Sequence, residues 1–234
     1  MNRSSLHLIH WMRPLGLAAT LLMGTVAAPA QTTNAPTLEQ ASQALGRAQS
    51  VFTHFTQERH MSLFNEPLRT EGWLCFQQPG AVRWEVDKPY KSILISDGSG
   101  VAQFEWVEGR WKKLDSGLAG AMQSIVAQIA GILNGQYARG GKDYSVAFSN
   151  SPAGPVIMLT PRNEKVRVMM QAIEVHLAPD LQSTRQVVLR ENGGDFTLIQ
   201  FDKQVVNPHF PPMTFDRAKP AEIETVGRAA QPTP

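Results

Sequence analysis

TEGWLCFQQPGAVRWEVDKPYKSILISDGSGVAQF, residues 70–104, sets the fold class of this chain. Its apolar-rich stretches are separated by Pro79-Gly80 and Asp97-Gly98, two turn-forming pairs. Thr70, Gly72, Leu74 and Phe76 fall on one side of an extended first stretch. In the second, Val82, Trp84 and Val86 alternate with Arg83, Glu85 and Asp87, the period of a half-buried strand. In the third, Ile93, Leu94 and Ile95 are apolar on both faces, and Asp97-Gly98 is a hairpin turn into a further strand. Such a run is an antiparallel sheet, and its face of large side chains must cover something apolar.

More strands are expected on both sides. Residues 52–63 precede the stretch, and 110–114 follow the turn at Glu108-Gly109. Later candidates are 144–148, 156–160, 173–177, 186–190 and 195–201, the last entered through Asn192-Gly193-Gly194. Two segments have helical period instead. Thr37 with Gln40 fits a capping box, followed by Leu38, Ala41, Leu45, Ala48 and Phe52 at helical spacing. Leu118, Met122, Ile125, Val126, Ile129 and Leu133 recur at spacings of three and four, and Gly135 closes that helix. Gly117, Gly120 and Gly131 weaken it, each by about 1 kcal/mol relative to Ala. The expected class is α+β, mainly β: an open antiparallel β-barrel or strongly curved sheet, covered by a helical lid.

Residues 1–30 read as a signal peptide. Arg3 and Arg13 make a positive start, residues 15–28 are apolar, and Ala28-Pro29-Ala30 is a small-residue cleavage site before Gln31. The apolar run is short of the roughly 20 residues that cross a bilayer. No cysteine follows it, so the lipid-anchored form of signal is absent. Residues 31–216 are expected to form one carrier domain, and 217–234, rich in Ala, Pro and charge, a disordered tail.

The segment after residue 30 carries 20 basic and 20 acidic residues. That balance argues against a nucleic-acid binder, which needs clustered positive charge. Cys75 is the only cysteine, so no internal disulfide forms and a core must supply stability. Between Leu74 and Phe76 it reads as a small buried apolar residue.

Catalytic signatures are missing. There is no G-x-S-x-G, P-loop, H-E-x-x-H or cysteine pair. Ser96, Asp97 and Ser99 surround Gly98 but read as a hairpin rather than a nucleophile elbow. His54, Glu58 and His60 share parity on one strand, yet six residues separate the histidines, about 20 Å. They read as solvated strand polars, and no metal or other cofactor is expected. What remains is an apolar sheet face and a weak, apolar-faced helix able to cover it.

These residues resemble the LolA-type family of periplasmic lipoprotein carriers, over most of the chain after residue 36. The family's F-x-x-x-F-x-Q is similar to residues 52–57, FTHFTQ. Its G-x-L-x-x-x-x-P-x-x-x-R-W is matched by GWLCFQQPGAVRW, residues 72–84. Lys88-Pro89 with 93–98 and GDFTLIQFDKQVVN, residues 194–207, complete the pattern. The resemblance implies an open barrel whose cavity receives lipoprotein acyl chains from an inner-membrane donor complex and passes them to an outer-membrane acceptor. It places Trp84 and Leu94 in that cavity, although parity alone leaves Ile93 and Ile95 as candidates. The full candidate lining is Leu74, Phe76, Val82, Trp84, Ile93, Leu94 and Ile95, with Leu118, Met122, Ile125, Val126 and Ile129 as the lid. Gln78 stands where well-studied carriers have a lid-bonding arginine, and it lacks the charge and five-donor fork. The expectation is a monomeric periplasmic carrier of a lipoprotein or another lipid. The alternative is a lipid-sensing module of the same fold that contacts a partner protein.

Overall fold

The structure, a computed structural model, describes residues 35–114, 130–132, 134–136 and 143–220. The signal-peptide expectation, the lid residues Leu118, Met122, Ile125, Val126 and Ile129, and residues 221–234 of the expected tail lie outside them.

The first helix, α1 (Leu38–Gly46), begins as its capping box dictates. The Gln40 amide donates to Thr37 Oγ1 at 3.3 Å, and the Thr37 amide donates to Gln40 Oε1 at 2.9 Å. Ala41 and Leu45, four apart, are buried. Strands β1 (Ser50–His60), β2 (Leu68–Gln77), β3 (Ala81–Lys88), β4 (Ser92–Ser96), β5 (Val101–Val107) and β6 (Arg110–Lys113) form an antiparallel meander. Strands β7 (Tyr144–Ser151), β8 (Gly154–Pro161), β9 (Met170–Leu177), β10 (Thr184–Glu191) and β11 (Phe196–Val206) form a second. β11 pairs with β1 and joins the two, giving the order β6-β5-β4-β3-β2-β1-β11-β10-β9-β8-β7.

No pairing joins β6 to β7 among the described residues, so the sheet is open. Leu94 of β4, Val82 of β3 and Ile157 of β8 nevertheless belong to one core cluster with Ala41 and Leu45 of α1. The sheet therefore curls around α1, as the expected fold class requires. The single turn α2 (Glu164–Arg167) has no periodic signal in the sequence; Asn163 caps it by accepting the Lys165 amide at 2.9 Å. At Gly72, beside a register shift, a Cβ would meet the Glu85 carbonyl oxygen at 1.9 Å, so β2 can approach β3 this closely only with glycine there.

The chain after β11 folds back over the convex face. A 3-10 turn, Pro212–Phe215, brings Phe210 and Phe215 onto Phe52, Cys75 and Trp73. Phe215 also packs on Ile93, Ile95, Ala102 and Phe104. The Arg217 guanidinium donates to Asp97 Oδ2 at 2.7 Å, and Lys113 Nζ donates to the Arg217 carbonyl at 3.1 Å. Residues 217–220, the first of the expected tail, are among the described residues, and Pro220 is buried.

Candidate functional site

Register divides the candidate lining between the two faces. Leu74 pairs with Trp84, and Trp84 with Leu94, so these three form one cross-strand row. Phe76 pairs with Val82 in the next row. All five belong to the concave face, with Val51, Phe55 and Val86. Trp84 is half-buried and packs on Phe55 with ring centroids 4.2 Å apart.

Ile93 and Ile95 do not share that face. Ile95 pairs with Arg83, and Ile93 with Glu85, and both isoleucines pack with Ala102 and Phe104 on the convex side. They leave the candidate lining as a correction. The physical reason is that β4 is buried on both faces, so its apolar run has no alternation to read.

The other half of the sheet extends the concave face, and the sequence reading overlooked it. Ile199, Val187, Val175, Ile157 and Phe148 form one cross-strand row. Thr197, Leu189, Ile173, Leu159 and Val146 form the next. Phe201, opposite Phe55, continues the surface into β11. Val86, Val146, Phe148, Leu189 and Phe201 are only partly buried and present apolar area on this face. Alternation in β8 and β9 was the available signal, since Ile157/Leu159 and Ile173/Val175 keep strand period.

Part of the face is covered. Ala41, Leu45 and Ala48 pack on it, as do Ala130 and Ile132 at the described end of the second expected helix. That end is fastened to α1. Ser42 Oγ donates to the Gly135 carbonyl at 2.7 Å. Gly135 has φ +66°, and a Cβ there would lie 2.8 Å from the Ser42 carbonyl oxygen. Gln78 also acts on α1: its Nε2 donates to the carbonyls of Gly46 at 3.1 Å and Ala48 at 2.9 Å. It satisfies carbonyls at a helix C-terminus, which a neutral amide can do. A cleft of about 880 Å³ beside it is lined by Glu39, Gln43, Arg47, Gln78, Asn134 and Gln136 among others. Those groups are polar, so the cleft does not suit an acyl chain.

The convex face behind Trp84 is closed and charged inside. Arg83 is fully buried, and its Nε donates to Glu85 Oε2 at 2.9 Å. Arg83 Nη1 reaches the Thr214 carbonyl at 3.4 Å. Burial pushes the adjacent Cys75 thiol far above its ordinary range, so it is inert packing.

The remaining candidates are local. Asp97 accepts the Ser99 amide at 2.9 Å and the Gly100 amide at 3.2 Å, the hairpin arrangement. The Ser99 amide, with Arg217 and the Ser99 hydroxyl, holds the Asp97 carboxyl well below its ordinary range. His54 shares a hydrogen bond with Asp202 at 2.6 Å, whereas His60 pairs with Glu58 at 3.1 Å. The two histidines thus take separate partners.

Residues 46–218 match the family described as outer membrane lipoprotein carrier protein LolA. The chain is 24% identical over 205 residues to the outer-membrane lipoprotein carrier protein of Dechloromonas aromatica (strain RCB), covering 83% of this chain and 89% of that one. It is 25% identical over 193 residues to the protein of that name from Bordetella avium (strain 197N), covering 80% and 86%. Among solved structures, a LolA superfamily protein from Nitrosomonas europaea aligns over 79% of this chain and 99% of its own, with 9% identity and a TM-score of 0.41. The MucA/MucB complex structure of Pseudomonas aeruginosa aligns over 83% of this chain and 61% of its own, with 22% identity and a TM-score of 0.34. The chain belongs to the LolA family of outer membrane lipoprotein carriers, proteins that bind lipoprotein lipid rather than catalyse.

Proposed function

We propose that this protein is a periplasmic carrier that shelters the acyl chains of a lipoprotein, or of another lipid, against its concave face. In this reading it takes cargo from an inner-membrane donor and releases it to an outer-membrane acceptor. One observation carries it: Trp84, Val86, Phe148, Leu189 and Phe201 remain partly exposed on a face otherwise built as core. Acyl chains gain about 0.8 kcal/mol for each methylene removed from water onto such a surface.

Leu118, Met122, Ile125, Val126 and Ile129 would form the cover over this face. The fastening of Gly135 to Ser42 supports a cover that is fixed at its C-terminal end. Residues 1–30 direct export, so the exported form begins at Gln31, and 31–216 form the carrying domain. Intact mass of the exported protein tests the first statement. Mass spectrometry of lipid extracted from the purified protein tests the second. Acyl lipid or lipoprotein bound in stoichiometric amount is expected. A lipid-free protein that captures only a periplasmic protein would favour the sensing module.

A further inference from the structure

On the concave face, an apolar cross-strand row ends in two polar residues. The row of Phe148, Ile157, Val175, Val187 and Ile199 continues into Gln57, which pairs with Ile199, and then Thr70, which pairs with Gln57. Along β1, Val51, Phe55 and Gln57 stand opposite Phe76, Gly72 and Thr70, so Gln57 and Thr70 share the side of Phe55 and Phe76. Gln57, the last residue of FTHFTQ, follows Phe55 by about 7 Å along that side. Phe55 itself pairs with Phe201 and packs on Trp84, and Val86 stands opposite Gly72. The two polar residues therefore adjoin the partly exposed apolar surface.

Among the described residues, neither side chain finds a partner. Thr70 Oγ1 is buried and meets no hydrogen-bond partner there. The Gln57 amide is partly buried and makes no hydrogen bond with them either. A hydroxyl buried without a partner destabilises a fold, and most buried polar groups are paired. A row built only as core would carry aliphatic residues at these two positions. An unpaired amide and hydroxyl at the head of an acyl surface mark a place for a ligand's polar atoms.

The place is neutral. Arg59 pairs with Glu191 at 3.1 Å, Arg69 with Glu58 at 3.1 Å, and Lys88 with Glu71. These cations are taken, which disfavours a carboxylate or phosphate. A primary amide and a hydroxyl donate to a carbonyl oxygen without needing charge. Acyl ligands carry such an oxygen where the chain joins the rest of the molecule, as an ester or an amide.

We infer that Gln57 and Thr70 bind the carbonyl that links an acyl chain to the rest of its cargo, and so select ester- or amide-linked chains. The chain then runs from Gln57 past Phe55 onto Trp84 and Phe201. This assignment rests on the concave face binding acyl chains, and it adds the residues that read the linkage.

Displacement of a fluorescent fatty acid from the purified exported protein by monopalmitoylglycerol, against its ether analogue hexadecylglycerol, tests it. The two ligands share chain length and glycerol, and only the ester has the carbonyl. Wild type is expected to bind the ester about tenfold tighter. Gln57→Met should lower ester affinity about fivefold and Thr70→Val about threefold, with ether affinity unchanged. N-palmitoylglycinamide should follow the ester, and a loss confined to one of the two identifies the linkage. Thr70→Val keeps the shape and removes an unpaired hydroxyl, so its melting temperature should equal or exceed that of wild type. Trp84→Arg should weaken ester and ether alike. Equal binding of ester and ether by wild type, an ester preference unchanged in both variants, or a lower melting temperature for Thr70→Val would overturn the inference and leave acyl binding standing. Displacement by neither ligand would overturn both.

Discussion

Arg83 and Trp84 are neighbours in sequence and stand on opposite faces of β3, and the two faces solve different problems. The convex face is closed permanently. Arg83 and Glu85 neutralise each other beneath Thr214, and Phe210 and Phe215 seal the edge. The concave face is left partly open, with Trp84 half-buried against Phe55. One strand thus carries fold stability on one side and candidate binding area on the other. The lesson is that substitutions one residue apart should have separable consequences.

The largest expected effect comes from breaking the closed face. Glu85→Ala removes a carboxylate from a fully buried guanidinium and should cost about 3–5 kcal/mol in urea unfolding. Replacing Arg83 and Glu85 together by Met and Leu should be far milder, because both desolvated charges go at once. A double variant as unstable as Glu85→Ala would show that the charges themselves hold the C-terminal segment. Phe210→Ala should cost about 3 kcal/mol and expose the segment after β11 to protease. Neither change should alter the affinity of the refolded protein for acyl ligand.

The open face should respond the other way. Trp84→Arg should lower binding of a fluorescent fatty acid or acyl peptide by tenfold or more, since a guanidinium must be desolvated to sit there. The cost in unfolding free energy should be well below that of Glu85→Ala. Phe148 tests how far the surface extends. Phe148→Ser should weaken long acyl chains more than short ones if β7 contributes.

The smallest effect sharpens the boundary of the closed face. Asp97 titrates below its ordinary range in the folded protein, so its stabilisation is complete above the unfolded carboxyl's value, near pH 4, and is lost as pH falls further. The pair with Arg217 is partly exposed, so Asp97→Asn should cost under about 1 kcal/mol. Pepsin release of the C-terminal segment should rise below pH 4 in the wild type, and Asp97→Asn should show that release already at higher pH. Release from the variant that follows the wild-type curve would remove Asp97 from the clamp.

Much of this fold was legible from residues alone. Alternation around Trp84, turn pairs at 79–80 and 97–98, and the Thr37 capping box mark elements that the structure contains. The class of fold and the family followed from them. Face assignment at β4 was not legible, because Ile93, Leu94 and Ile95 are all buried and only pairing with Arg83, Trp84 and Glu85 separates them. The convex cover was equally hidden. Pro208, Pro211 and Pro212 announce a break, but nothing local says that Phe210 and Phe215 return to β2 and β4. Such contacts span more than a hundred residues and leave no periodic trace. The contribution of β7–β11 was visible as alternation yet carried no large aromatic signal like Trp84.

The central claim is that the concave face around Trp84 holds acyl chains. Quantitative mass spectrometry of lipid co-purified with wild type and with Trp84→Arg, both produced in the periplasm and matched for circular dichroism, tests it most directly. The account predicts about one acyl-bearing molecule per wild-type protein, and a loss of tenfold or more in the variant. Equal lipid occupancy in the two proteins, or none in either, would contradict it.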